Sequence, residues 1–167
     1  MTLRLRPFDV SDEGACVAAH VILAAENFPF LLSYEPAMAW ADWLARIERY
    51  RAGTRLPVGR VRSAFLVAEV DGEIVGRVSI RFALNDWLAR EGGHIGYAVL
   101  PAFRRRGYAT EMLRLALAIA KEEGVSPALL VCNDDNIASA RVIERCGGVL
   151  EGRAIADDGR TIRRYWI

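Results

Sequence analysis

The residues Arg104-Arg105-Arg106-Gly107-Tyr108-Ala109 carry the plainest chemistry in the chain. They form a basic turn with a glycine inside it, and the residues that follow repeat with helical period. A helix N-terminus presents unpaired N–H groups and a partial positive charge. Gly107 has no Cβ, so the backbone there can approach a ligand closely. The combination reads as a cradle for a pyrophosphate. The turn lacks Gly-x-x-x-x-Gly-Lys-Ser/Thr, which excludes a nucleoside triphosphate loop. It also lacks Gly-x-Gly-x-x-Gly after a strand, which argues against a dinucleotide fold. A solvated basic turn capping a core helix is the plainer alternative, and the hexamer alone leaves it open.

The flanking elements favour the cradle. His94 to Leu100 reads as a buried apolar strand ended by Pro101, which has no N–H for a ladder. Ala109, Met112, Leu113, Ala116, Leu117 and Ala120 fall on one helical face, and Gly124 reads as the stop. Upstream, Leu3 to Arg6 alternates as a strand ended by Pro7. Gly14 to Asn27 and Ala37 to Arg51 carry helical spacing, the second with Trp40, Trp43, Leu44, Ile47 and Tyr50 on a stripe that reads as core. The aromatic loop Phe28 to Pro36 suits either the core or a substrate wall. Ala52 to Ser63, rich in Gly, Pro and Arg, reads as a surface loop. Ala64–Val70 and Glu73–Leu84 are strands joined by a tight Asp71-Gly72 turn. On the return strand Ile74, Val78, Ile80, Phe82 and Leu84 share one face, and Val75, Arg77, Ser79 and Arg81 the other. Two arginines on a strand face are either solvated or line a polar cleft. Residues 85–93 connect, with a short helical turn near Asp86 to Ala89. Downstream come a strand (128–132), a capped helix (137–145) stopped at Gly147-Gly148, and a final hairpin (149–155 and 161–167) around Asp157-Asp158-Gly159.

At 167 residues, with 53% hydrophobic and 26% charged residues, the chain reads as one globular domain spanning 1–167. A net charge of +1 gives no general attraction to nucleic acid or acidic membranes, and no basic stripe is interleaved with aromatics. No apolar run approaches the roughly 20 residues that span a bilayer. The N-terminus has no signal-peptide core, and Cys16, Cys132 and Cys146 have no metal-ligand spacing. A cytoplasmic protein with reduced thiols and no metal is expected.

The turn, preceded by Val99-x-Pro101, matches Arg/Gln-x-x-Gly-x-Gly/Ala at Arg104, Gly107 and Ala109. It resembles the coenzyme A pyrophosphate loop of the GNAT superfamily of N-acyltransferases. Asn133 to Gly147 looks like that family's second motif, Asn-x-x-Ser/Ala followed by a helix and a glycine. The element order over the whole chain is that of the GNAT fold, and the stretches around His94 and the C-terminus resemble a group of bacterial acetyltransferases. The resemblance implies an α+β (α/β) fold with a mixed, mostly antiparallel central sheet flanked by helices. It implies acetyl-CoA (coenzyme A) as cofactor. Tyr97, Ala98 and Val99 would offer strand backbone to the pantetheine arm. Arg104, Arg105, Arg106, Gly107, Tyr108, Ala109 and Thr110 would wrap the pyrophosphate, and Asn136 would bond the pantetheine side. Many family members carry a tyrosine seven residues after this Asn as general acid; here that position is Ile143. Ser139 stands where one branch of the family places a serine proposed for that role, unless it only bonds its own backbone.

The implied reaction is attack of an amine on a thioester carbonyl. A strand N–H can stabilise the oxyanion, and holding the reactants together supplies much of the rest. The amine must lose a proton. His94 has a suitable ordinary pKa and lies on the cofactor strand, so it is the candidate base; its alternative is a strand-end residue tying down Gly92-Gly93. His20 reads as a surface or packing residue, and Glu69, Glu73, Asp86 and Glu91 are weaker bases. The expected activity is acetyl-CoA-dependent N-acetylation of a primary amine, on a small molecule or a peptide, with no nucleic acid or membrane partner and a homodimer left open. A non-catalytic acyl-CoA sensor on the same fold is the alternative.

Overall fold

The computed structural model describes residues 2–167. Strands β1 (Leu3–Pro7), β2 (Ser63–Val70), β3 (Glu73–Arg81) and β4 (Ile95–Val99) form an antiparallel sheet in chain order. Helices α1 (Glu13–Ala24) and α2 (Trp40–Ala52) come between β1 and β2, and α3 (Tyr108–Glu122) follows β4. Then come β5 (Leu129–Asn133), α4 (Ile137–Arg145), β6 (Val149–Ile155) and β7 (Thr161–Trp166); these strands form a second antiparallel sheet in the order β5-β7-β6.

The first sheet is buried on both faces. Val78, Ile80 and Ile95 pack with Met112, Leu113, Ala116 and Ala120 of α3. On the other face Phe65 and Val67 pack with Trp40, Trp43 and Ile47 of α2, and Phe30 and Leu31 of the aromatic loop join them. Trp40 stacks on Trp43 at 4.6 Å, and Phe8 meets Trp43 edge-on at 5.0 Å, so the tryptophan stripe is core. Asp71 and Gly72 both have positive φ (51° and 85°), the backbone a tight hairpin needs.

Two departures from the strand pattern matter. A bulge opposite Ala68 and Glu69 makes Val75 an extra residue in β3. Val75 therefore joins Val78 and Ile80, while Ile74 packs on the α1–α2 side, the reverse of strict alternation. And the strands do not close into one sheet. Their edges are joined where His94 N–H donates to Leu129 O (2.7 Å) and Leu129 N–H donates to His94 Nδ1 (2.8 Å). Gly93 (φ 64°) permits it, because a Cβ there would stand 2.7 Å from Leu129 O. Beyond the junction β4 pairs only with β3, which leaves a gap between β4 and β5.

Candidate functional site

The gap has one free strand edge. Leu100 N–H donates to Val75 O, and Arg81 N–H donates to His94 O, so the His94 carbonyl, the backbone groups of Gly96 and Ala98, and the Leu100 N–H turn toward β3. By strand alternation Tyr97 and Val99 turn theirs into the gap. Of the three residues expected to offer backbone, Ala98 is thereby committed to β3, while Tyr97 N–H is free; Val99 O accepts from Arg104 Nε (3.1 Å).

At the mouth of the gap stands the basic turn. Arg105 (φ 63°) and Gly107 (φ 83°) both take left-handed backbone, and no side chain caps α3. Among the described residues Arg105, Arg106, Gly107, Tyr108 and Ala109 find no acceptor for their backbone N–H, giving five successive free N–H groups at a helix start. A Cβ on Gly107 would meet nothing within 4 Å, so the space over the turn is open to a ligand. Thr110 N–H is used, bonding Gly107 O at 3.1 Å. Arg106 leans on Ala102 O (3.2 Å) and the Phe103 ring. Arg104 points elsewhere: Glu26 at the end of α1 holds its guanidinium through both carboxylate oxygens (3.0 and 2.6 Å). Arg104 thus anchors the turn to α1, a role that no local pattern signals.

Across the gap lies the start of α4. Asn136 Oδ1 accepts from Ser139 N–H (3.1 Å) and caps the helix, which leaves its amide Nδ2 free. The Ser139 hydroxyl shares a 2.9 Å hydrogen bond with the Tyr97 hydroxyl, joining β4 to α4. Burial raises the Tyr97 phenol above its ordinary value, so it is protonated at neutral pH. A tyrosine sought at position 143 does not point to this hydroxyl, which comes from β4, while Ile143 is buried in the core.

His94 is 8% exposed, and its Nδ1 already accepts the Leu129 N–H. Burial, with a smaller contribution from the nearby Arg81 charge, lowers its pKa, so the ring is neutral with its proton on Nε2. Glu69 is held by Arg4 and Arg6, and Glu91 Oε1 accepts from Asp157 N–H. His20 Nδ1 accepts Leu31 N–H at 3.0 Å and pins the aromatic loop.

Under β4, on its α1–α2 face, Arg77 and Ser79 of β3 are buried and Arg81 is half-buried, so the three line a cleft rather than an open face. Arg77 is 3% exposed and lies between the rings of Phe28 (4.7 Å) and Phe65 (5.5 Å). Burial pulls Arg77 down to about 9 and Arg81 to about 10, so both remain charged at pH 7. The cleft opens into a cavity of about 360 Å³ whose wall includes the 59–63 stretch of the surface loop.

The sequence model of the Acetyltransferase (GNAT) family matches residues 20–148 of this chain. The chain belongs to that family. An N-alpha-acetyltransferase of Sulfurisphaera tokodaii is 26% identical over 129 aligned positions, covering 71% of this chain and 63% of the relative. The match therefore spans less than two thirds of that relative's length. Mycobacterium smegmatis RimJ, solved in complex with CoA-disulfide, superposes with a TM-score of 0.70 at 22% identity, over 99% of this chain and 81% of that one. Spermidine N-acetyltransferase from Vibrio cholerae, solved with CoA and spermine, gives 0.67 at 18% identity, over 99% and 94%. At these identities the likeness is one of fold, and the fold is the GNAT fold expected from the motifs. The GNAT chain brings the turn, the free edge of β4, Tyr97, Ser139 and Asn136 around one gap, with Arg104 and His94 set as braces at its edges.

Proposed function

We propose that this GNAT protein is an acetyl-CoA-dependent N-acetyltransferase that moves an acetyl group to a primary amine. The run of five free N–H groups at the α3 start, opening beside an unpaired strand edge, carries the reading. The donors fit a pyrophosphate, and the edge offers backbone partners to an extended amide-bearing arm. Acetyl-CoA supplies the acetyl group as a thioester that an amine attacks.

The protein's own groups have separable tasks. Arg105 through Ala109 hold negative oxygens, mainly through backbone; the hydroxyl of Thr110 is a further donor. Asn136 Nδ2 faces an amide, while its Oδ1 stays on the helix cap. Tyr97 N–H donates to an oxygen that gains charge. The Tyr97–Ser139 hydroxyl pair holds a proton beside the gap and supplies it to a departing thiolate; Ser139 keeps its expected role with Tyr97 as partner. His94 serves the sheet junction instead of the proton transfer, because its basic nitrogen is occupied. The amine proton then leaves through water. The partner is a small-molecule or peptide amine, the setting cytoplasmic, and a homodimer is compatible with the exposed β6 edge.

Amine-dependent release of free CoA thiol tests the reading. We expect release that requires both acetyl-CoA and an amine. Tight acetyl-CoA binding without turnover on any of a broad amine panel would make the protein a sensor instead.

A further inference from the structure

Three side chains of β3 meet at one point. A Cβ built on Gly96 would stand 3.2 Å from Ser79 Oγ, 3.8 Å from Arg81 Nη1 and 4.0 Å from Arg77 Nη1. Gly96 precedes Tyr97, whose N–H faces the gap, so the point lies beside the proposed reacting centre. Among the described residues neither arginine has an acid. Among these residues Arg77 donates only to Pro29 O (2.9 Å), and its buried Nε has no partner. Arg81 donates only to Gly92 O and Gly93 O (3.2 and 3.3 Å). The adjoining cavity of about 360 Å³ is lined by Arg60, Ser79 and Arg81 among apolar neighbours such as Leu32 and Trp87, and by no Asp or Glu. Arg60 bonds the Ser33 hydroxyl and leans on Tyr50, again without an acid. Elsewhere the protein pairs its arginines readily, as with Arg4 and Arg6 on Glu69, or Arg153 and Arg163 on Asp134.

Buried guanidinium groups without counter-ions are costly, and a ligand anion would relieve the cost. We propose, resting on the acetyltransferase reading, that the acceptor amine carries a carboxylate and that Arg77, Arg81 and Ser79 bind it beside Gly96. The planar guanidinium fork matches a carboxylate. The cavity volume suits a small amino acid or the first residue or two of a peptide. A polyamine would bring its cations against three arginines.

The test compares matched acceptors with acetyl-CoA: glycine against glycinamide, Asp-Ala-Ala-amide against Asn-Ala-Ala-amide, and spermidine. In the wild type we expect kcat/KM about tenfold or more higher for the acid of at least one pair, the scale of one charged hydrogen bond. The pair that shows it tells a free α-carboxylate from a side-chain one. In Arg81→Gln the acid-to-amide ratio should fall to near one, a comparison that cancels intrinsic amine reactivity. Ratios near one in both wild-type pairs, or spermidine outpacing every acid, overturn the proposal and leave acetyl transfer standing. If no amine is acetylated, the transfer reading fails, and calorimetric titration of the same compounds into CoA-saturated protein decides the cavity alone. Acid-selective binding there supports the proposal; equal or absent binding overturns it.

Discussion

His94 and Tyr97 are three residues apart, and the structure gives them opposite tasks. His94 Nδ1 satisfies the N–H of fully buried Leu129. His94→Ala would leave that donor unpaired, and we expect a loss of about 1–3 kcal/mol in stability by denaturant titration. The linkage has a definite sign. Folding lowers the His94 pKa from 6.5, so the unfolded chain binds the extra proton more readily. The contribution of His94 is full above pH 6.5 and declines as pH falls below it. A neutral-range limb in kcat/KM should survive in His94→Gln; its disappearance would restore His94 as the base. Tyr97→Phe removes the hydroxyl beside Ser139 while keeping the backbone N–H. It should lower kcat by about tenfold or more with acetyl-CoA affinity unchanged, as for a group that acts only while the thiolate leaves. An equal loss in affinity would make the hydroxyl a binding contact.

At the scale of elements, the parts with local signals were legible and those set by distant contacts were not. Helix α4 runs from Ile137 to Arg145 as the sequence predicts, because Asn136 and Gly147 mark its ends directly. The hairpin of β6 and β7 follows from Asp157-Asp158-Gly159 in the same way. The connector forms its helical turn from Asp86, with Asn85 Oδ1 accepting from Leu88 N–H, and continues as a π-turn over Leu88–Gly92 that the sequence does not signal. The Val75 bulge defeated the alternation rule, since a bulge depends on the partner strand. The burial of Arg77 depends on Phe28 and Pro29, 48 residues away in the case of its hydrogen bond. Glu26 takes Arg104 across 78 residues, and Ser139 meets Tyr97 across 42. Asn136 illustrates how one residue can serve an element and a site at once. Asn136→Ala should cost about 1 kcal/mol of stability through the lost cap. Asn136→Asp keeps the cap oxygen and removes the Nδ2 donor. It should therefore keep its melting temperature while weakening coenzyme A binding by about 1–2 kcal/mol, read by calorimetry. Unchanged affinity in Asn136→Asp would confine Asn136 to the cap.

For the whole molecule, the decisive feature is that two antiparallel sheets meet at His94 and Leu129 and then part. The parting frees the β4 edge; α3 begins at the basic turn that follows β4, and α4 begins at Asn136, which caps Ser139, the partner of Tyr97. The sequence motifs named the turn and the Asn, but the split sheet that aligns them comes from Gly93 and the buried junction. Calorimetric binding of acetyl-CoA to wild type and to Gly107→Glu tests this account most directly, with Gly107→Ala and circular dichroism controlling for the strained backbone at φ 83°. We expect wild type to bind acetyl-CoA, with NAD far weaker, and Gly107→Ala to retain much of that binding. Gly107→Glu should stay folded and bind none, because its carboxylate stands over the free N–H groups. Equal binding of NAD and acetyl-CoA, or undiminished acetyl-CoA binding by folded Gly107→Glu, would contradict it.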